Sequence, residues 1–193
     1  MIAKDFERTY KKDKMHIGYI LGDHNAVLIK TGQGGSIYGY KNKYLDIALN
    51  LNKKYGCSVF VSETIIDDTP HFNQEMQLIE EILGDKVEIY YIGISKGGLI
   101  GCWYASQHNR VKHILAINAP LMINFHNKTL PALKSAEHGK ISMIYGSLDP
   151  SYKYIPFVSN YVDVQIIDGA DHVFSRHMDI LKKAIETVCD SFV

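Results

Sequence analysis

Residues 87–98 read Val87-Glu88-Ile89-Tyr90-Tyr91-Ile92-Gly93-Ile94-Ser95-Lys96-Gly97-Gly98, and the rest of the chain is read outward from them. Val87 to Ile92 is β-branched and aromatic, which predicts a strand. Lys96 to Gln107 predicts a helix. Between them stands G-x-S-x-G in the strand–turn–helix setting that exposes a nucleophilic serine. The chain must reverse so sharply there that the serine takes strained backbone angles, and side chains two positions away on either side would collide. Gly97, Gly98, Gly101 and Ala105 give the helix a thin face for close packing on a sheet. Ser95 is then expected above a sheet edge, beside helix-start N–H groups that favour negative charge. The competing reading is a glycine-rich turn with an incidental serine.

The flanking sequence repeats the alternation. Met15 to Leu21 reads as a strand, and Gly22-Asp23-His24-Asn25 as a turn into a second apolar strand, Ala26 to Lys30, together suggesting a hairpin. Tyr44 to Tyr55 has helical apolar spacing and ends at Gly56. Cys57 to Val61 is a short strand, and a loop through Pro70 opens a helix carrying Phe72, Met76, Ile79 and Leu83. Val111 to Ile117, Ile141 to Tyr145 and Val162 to Ile167 read as strands, with a short helix within Pro131 to His138. A last helix runs from about Phe174 to Phe192. Strands alternating with helices imply a three-layer α/β/α sandwich around a mostly parallel sheet of about seven strands. Ligands of such sheets sit beyond the carboxyl ends of the strands.

A serine hydroxyl needs a base, and the base an orienting acid. Val111 to Ile117 is followed by Asn118-Ala119-Pro120, which offers no acid. Ile141 to Tyr145 is followed by Gly146-Ser147-Leu148-Asp149-Pro150, placing Asp149 at the proper edge. An Asp before Pro is equally a good helix cap. The last strand is followed by Asp168-Gly169-Ala170-Asp171-His172, which offers His172 as the base. His177 is a rival base inside the expected helix, and Asp168 and Asp171 are rival acids. A sequence neighbour seldom reaches the far nitrogen of the imidazole. The order Ser…Asp…His over successive edge loops strengthens all three assignments. After Ala26 to Lys30, the loop Thr31-Gly32-Gln33-Gly34-Gly35-Ser36 can present bare N–H groups. The amides of Gln33 and Lys96 are therefore candidate oxyanion donors. A phosphate-cradling loop is the alternative, but the glycines fit neither G-x-G-x-x-G nor G-x-x-x-x-G-K-[ST].

Composition narrows the partners. The 193 residues carry 21 basic and 21 acidic side chains, a formal charge of zero, which argues against nucleic acid as a partner. With 46% hydrophobic residues the chain reads as an ordinary globular domain over 1–193, with residues 1–14 a polar N-terminal extension. Cys57, Cys102 and Cys189 are odd in number and lie in apolar settings, so buried free thiols are expected, with no metal site. The Met15–Leu21 run is too short for a membrane span or signal core, so a cytoplasmic protein with no membrane partner is the expectation. Nothing in the sequence distinguishes a monomer from a homodimer.

On the G-x-S-x-G-G elbow, the glycine-rich loop before it, the later acid and the terminal Gly-Ala-Asp-His loop, the chain resembles the α/β-hydrolases from about Met15 onward. The resemblance implies a Ser95–His172–Asp149 triad with Gln33 and Lys96 amides as oxyanion hole. It also implies hydrolysis of a small acyl substrate through an acyl-enzyme, without metal or organic cofactor. Esters or thioesters are the expected substrates. Amide cleavage or acyl transfer by the same triad, and ligand binding without turnover, are the alternatives. Two departures stand out. The polar stretch before Met15 makes a poor first antiparallel strand, and the segment between the Val111 and Ile141 strands is too short for a lid. An open site follows, lined by candidates such as Tyr38, Tyr40, Asn118, Leu121 and Met122.

Overall fold

The computed structural model describes residues 5–23, 25–64 and 71–190. His24 of the expected turn, the loop through Pro70 and the helix end at Phe192 lie outside the described residues. In chain order the strands are β1 (Arg8–Lys12), β2 (Met15–Ile20), β3 (Asn25–Gln33), β4 (Ser58–Thr64), β5 (Glu88–Ile94), β6 (Val111–Ile117), β7 (Ile141–Gly146) and β8 (Asp163–Ile167). The helices are α1 (Lys43–Tyr55), α2 (Phe72–Leu83), α3 (Lys96–Trp103), α4 (Leu130–Ser135), α5 (Ile155–Val158) and α6 (Met178–Asp190). Among the described residues the strands form one eight-stranded sheet in the order β1-β2-β4-β3-β5-β6-β7-β8. From β4 to β8 every pairing is parallel. This is the expected three-layer α/β fold.

Period-two alternation sorts the strand side chains between the two faces. Ala26 and Leu28 of β3 and Ile114 and Ala116 of β6 join the core under α2, α3 and α4. Val27, Ile29, Leu115 and Ile117 join the core under α1 and α6. Both faces are covered, so the central strands are apolar almost throughout rather than alternating with polar residues.

The N-terminal expectations need correction. The antiparallel hairpin is β1–β2, not Met15–Leu21 with Ala26–Lys30. β2 pairs antiparallel with β4, and β3 lies beyond β4, parallel to it. The Gly22–Asp23 link docks on the end of α1, where the Asp23 N–H donates to the Gly56 carbonyl at 2.6 Å, instead of folding back on β2. The first antiparallel strand is present as well, within the polar extension. β1 is exposed along most of its length, so it needs no apolar alternation, and its Arg8, Lys11 and Lys12 blunt a sheet edge. Phe6, just before it, is buried in the α1–α6 core.

Two further boundaries move. β3 continues to Gln33, so the glycine loop begins inside a strand with an irregular register at Lys30/Gln33. The last helix starts at Met178 rather than Phe174. Phe174 has φ +56° and the Asp171 carboxylate accepts the N–H groups of Val173 and Ser175, which holds a turn there. Cys57, Cys102 and Cys189 are buried free thiols, as expected. No helix among the described residues is long and apolar enough to cross a membrane.

Candidate active site

Ser95 is held by backbone geometry that few residues other than glycine accept. Its φ is +52° and ψ −120°, and strain of this kind costs on the order of 1–3 kcal/mol. Its N–H donates to Ile117 O at 2.8 Å, and its carbonyl accepts the Gly98 N–H at 2.9 Å, which starts α3. The flanking glycines are required by close approach. A Cβ on Gly93 would stand 2.5 Å from the Gly97 backbone, and one on Gly97 would stand 2.3 Å from Lys30 O. The collision expected from sequence is the one found.

Three edge loops then converge. Asp149 follows β7, is 4% exposed, and divides its carboxylate between two duties. Oδ1 accepts the Ser151 N–H at 2.7 Å, and Oδ2 meets His172 Nδ1 at 2.5 Å. The partnership with histidine is present, whereas the expected helix cap is not: the bond to Ser151 closes a local turn, and the short helical turn that follows starts at Tyr152 with Ser151 before it. His172 Nε2 lies 3.0 Å from Ser95 Oγ. The imidazole pKa is raised above the ordinary 6.5, first by its hydrogen bond to Asp149; desolvation and the charge of Lys43 pull the other way. Asp168 instead accepts the Ser147 hydroxyl, and Asp171 accepts Ser175 and Val173. Those contacts to Ser175 hold the Asp171 carboxyl below its usual range. His177 precedes α6, and its N–H closes the turn on Phe174 O at 3.0 Å.

Asn118, fully buried after β6, binds the loops together. Its Nδ2 donates to the carbonyls of His172 at 2.8 Å and Asp171 at 3.2 Å, and its Oδ1 accepts the Gly146 N–H at 2.9 Å. It positions the His172 and Asp149 loops rather than lining a pocket. Its signal in sequence is a single amide at a strand end, which carries no geometry.

A cavity of about 240 Å³ opens beside Ser95 and His172. Gly32, Gln33, Lys43, Val173 and Phe174 flank its polar end, and isoleucines of β3, β5, β6, α1 and α6 line the rest. Gly32 borders the nucleophile directly, since a Cβ there would come within 3.3 Å of Ser95 Cβ. Tyr44 also lines the cavity; burial pushes its phenol up to about 12, partly offset by a hydrogen bond from the Gly32 backbone. Lys43 is half-buried, and desolvation lowers its pKa.

The pocket expected from sequence is corrected here, because none of Tyr38, Tyr40, Asn118, Leu121 or Met122 lines this cavity. Tyr38 packs on Phe6 and donates to Asp5, Leu121 is in the opposite core, Tyr40 is 78% exposed, and Met122 contacts Ser151. The void lies between α1, α6 and the sheet. Sequence reasoning missed it because helix and sheet residues around a void have the same apolar pattern as a filled core. Among the described residues, no three His, Cys, Asp or Glu side chains cluster as metal ligands would.

No family model matches the sequence, and no curated protein matches it. Solved structures do match the fold. Est1E from Butyrivibrio proteoclasticus superposes with a TM-score of 0.76 at 13% identity, over 95% of this chain and 97% of that one. An alpha-beta serine hydrolase homologue from Coxiella burnetii gives 0.70 at 12% identity, over 93% and 95%. XC6422 from Xanthomonas campestris, described as a serine hydrolase without a lid, gives 0.70 at 13%, over 93% and 89%.

Proposed function

We propose that this chain, which has the α/β-hydrolase fold, is a serine hydrolase that cleaves carboxylic esters or thioesters through an acyl-enzyme. The observation that carries the reading is the hydrogen-bonded series Asp149–His172–Ser95, ending on a strained serine at the mouth of an apolar cavity.

His172 Nε2 takes the Ser95 proton as Oγ attacks the acyl carbon. Asp149 holds the tautomer with Nδ1–H and stabilises the imidazolium that forms. The negative oxygen of the tetrahedral intermediate faces the N–H groups of Lys96 and Gln33, and losing one such donor typically costs ~10²–10³ in rate. Imidazolium then protonates the departing alcohol or thiol. His172 then takes a proton from water, which attacks the acyl carbon and releases the free acid.

Incubation with a fluorophosphonate and with p-nitrophenyl esters tests this. Covalent labelling of Ser95, together with ester turnover abolished in Ser95→Ala, is the expected result. A folded protein that neither labels nor hydrolyses any ester or thioester overturns the proposal.

A further inference from the structure

The cavity beside Ser95 has a direction. Its polar lining residues Ser95, His172, Gln33 and Lys43 all stand at the carboxyl edge of the sheet. From that edge α1 and α6 run back along one face, and the lining follows them, from Lys43 and Tyr44 to Ile47 and from Met178 through Leu181 to Ile185. The helical rise is about 10 Å along α6, from Met178 to Ile185, and about 6 Å along α1, from Lys43 to Ile47. A volume of about 240 Å³ spread over such a length is narrow, on the order of one chain wide. By proportion to a cavity of ~150 Å³ that admits benzene, it holds roughly eight to ten non-hydrogen atoms.

The far end is defined by two side chains. Ile47 and Ile185 line this cavity and also line a separate small cleft, with Asn50, Leu51, Lys182 and Glu186 around it. That cleft lies between the same two helices and is bordered by polar residues. Ile47 and Ile185 are thus the partition between an apolar slot leading from the nucleophile and the surface groove of α1 and α6. Both are buried, at 6% and 2% exposure.

We infer that this slot is the acyl-chain site, that it takes unbranched acyl groups of about six to eight carbons tail-first, and that Ile47 and Ile185 set the length limit. The inference rests on the proposed hydrolase reading. An acyl carbonyl at Ser95 places its alkyl chain among Ile94, Ile117, Ile92 and Ile29. Each buried methylene is worth about a fourfold gain in kcat/KM until the partition is reached. Longer chains meet Ile47 and Ile185 and gain nothing further.

The test is a series of p-nitrophenyl esters from acetate to dodecanoate, run on the wild-type chain, Ile185→Ala and Ile47→Ala. The two variants stand on different helices, so one suffices if the other fails to fold. The expected result is a rise of roughly fourfold per methylene up to hexanoate or octanoate in the wild type. The ratio of dodecanoate to octanoate kcat/KM should then rise at least tenfold in either variant. Esters cleaved with a flat length profile, unmoved in both variants, would overturn the slot and leave the hydrolase standing. If no ester or thioester is cleaved and Ser95 is not labelled, the hydrolase reading fails and calorimetric binding of straight-chain carboxylates to the same proteins decides the slot. Octanoate binding tighter than butyrate, with dodecanoate gaining in Ile185→Ala, supports it; equal or absent binding overturns it.

Discussion

The two faces of the sheet differ beneath the same strands. Under α1 and α6 the isoleucines of β3, β5 and β6 surround a void that leads from Ser95. Under α2 and α3, alternation along β3 buries Lys30 instead of an apolar side chain. Its ammonium meets the Glu75 carboxylate, the Ser62 hydroxyl at 3.1 Å and the Glu63 carbonyl at 2.7 Å. Lys30 and Glu75 are 2% and 0% exposed, so each charge depends on the other. One face therefore offers room to a ligand, and the other fixes the strand end that supports the elbow. Lys30 O is the atom that a Cβ on Gly97 would strike, so the bare glycine sets how near α3 comes to β3.

This contrast is open to direct attack, beginning with the largest effect. Ser95→Ala should lower ester turnover by about 10⁶ while leaving thermal stability nearly unchanged, since alanine keeps the Cβ and the same strained backbone. A variant that loses its fold instead would place the serine among the structural residues. Asp149→Asn should cost about 10⁴ in kcat. It should also displace the pH profile. His172 accepts a proton only when neutral, so kcat/KM falls as pH drops through its pKa, which Asp149 holds above 6.5. With the carboxylate gone, that acidic limb moves to lower pH.

On the α2 face, Glu75→Leu leaves the Lys30 ammonium buried without its counter-charge. Urea unfolding should show a loss of about 3–5 kcal/mol, most of it recovered by adding Lys30→Met. Turnover per folded molecule should hardly change. A matched pair of truncations compares the packing itself. Leu99→Ala, fully buried under α3, should cost toward 5 kcal/mol, and Ile185→Ala nearer 2 kcal/mol, because Ile185 already borders a void. Equal losses would mean that the two faces are packed alike. The smallest effect is Lys43→Gln, which removes a positive charge that opposes protonation of His172. The acidic limb should then move to higher pH, opposite to Asp149→Asn and by less.

Much of the architecture was readable in the chain because strand and helix periodicities are local. The helix before Gly56, the helix carrying Phe72, Met76 and Ile79, and the strands from Val87 onward fall within a few residues of their expected places. The errors lie where pairing is non-local. Ala26 to Lys30 reads as a hairpin partner of Met15 to Leu21, because nothing nearby reveals that β4 will pair between them. Arg8–Lys12 reads as an extension because an exposed edge strand carries no apolar alternation. In the candidate site, the order of edge loops names Ser95, Asp149 and His172, which the structure brings within hydrogen-bond reach of one another. Asn118 was named for the wrong task, and the pocket residues were misplaced.

Sequence alone determined the local part of the elbow: a side chain on Gly93 would strike Gly97 across the reversal at Ser95, a constraint acting within five residues, whereas Gly97 must be bare because β3 lies against it. It also determined which three loops hold polar groups at the carboxyl edge. Tertiary structure decided that Asp149 rather than Asp168 or Asp171 meets His172, since that depends on the parallel pairing of β7 with β8 and on Asn118 tying the end of β7 to the His172 loop. It decided, too, that one face of the sheet is hollow. A void is the space left between side chains from five separate elements, and no stretch of sequence encodes a distance between them.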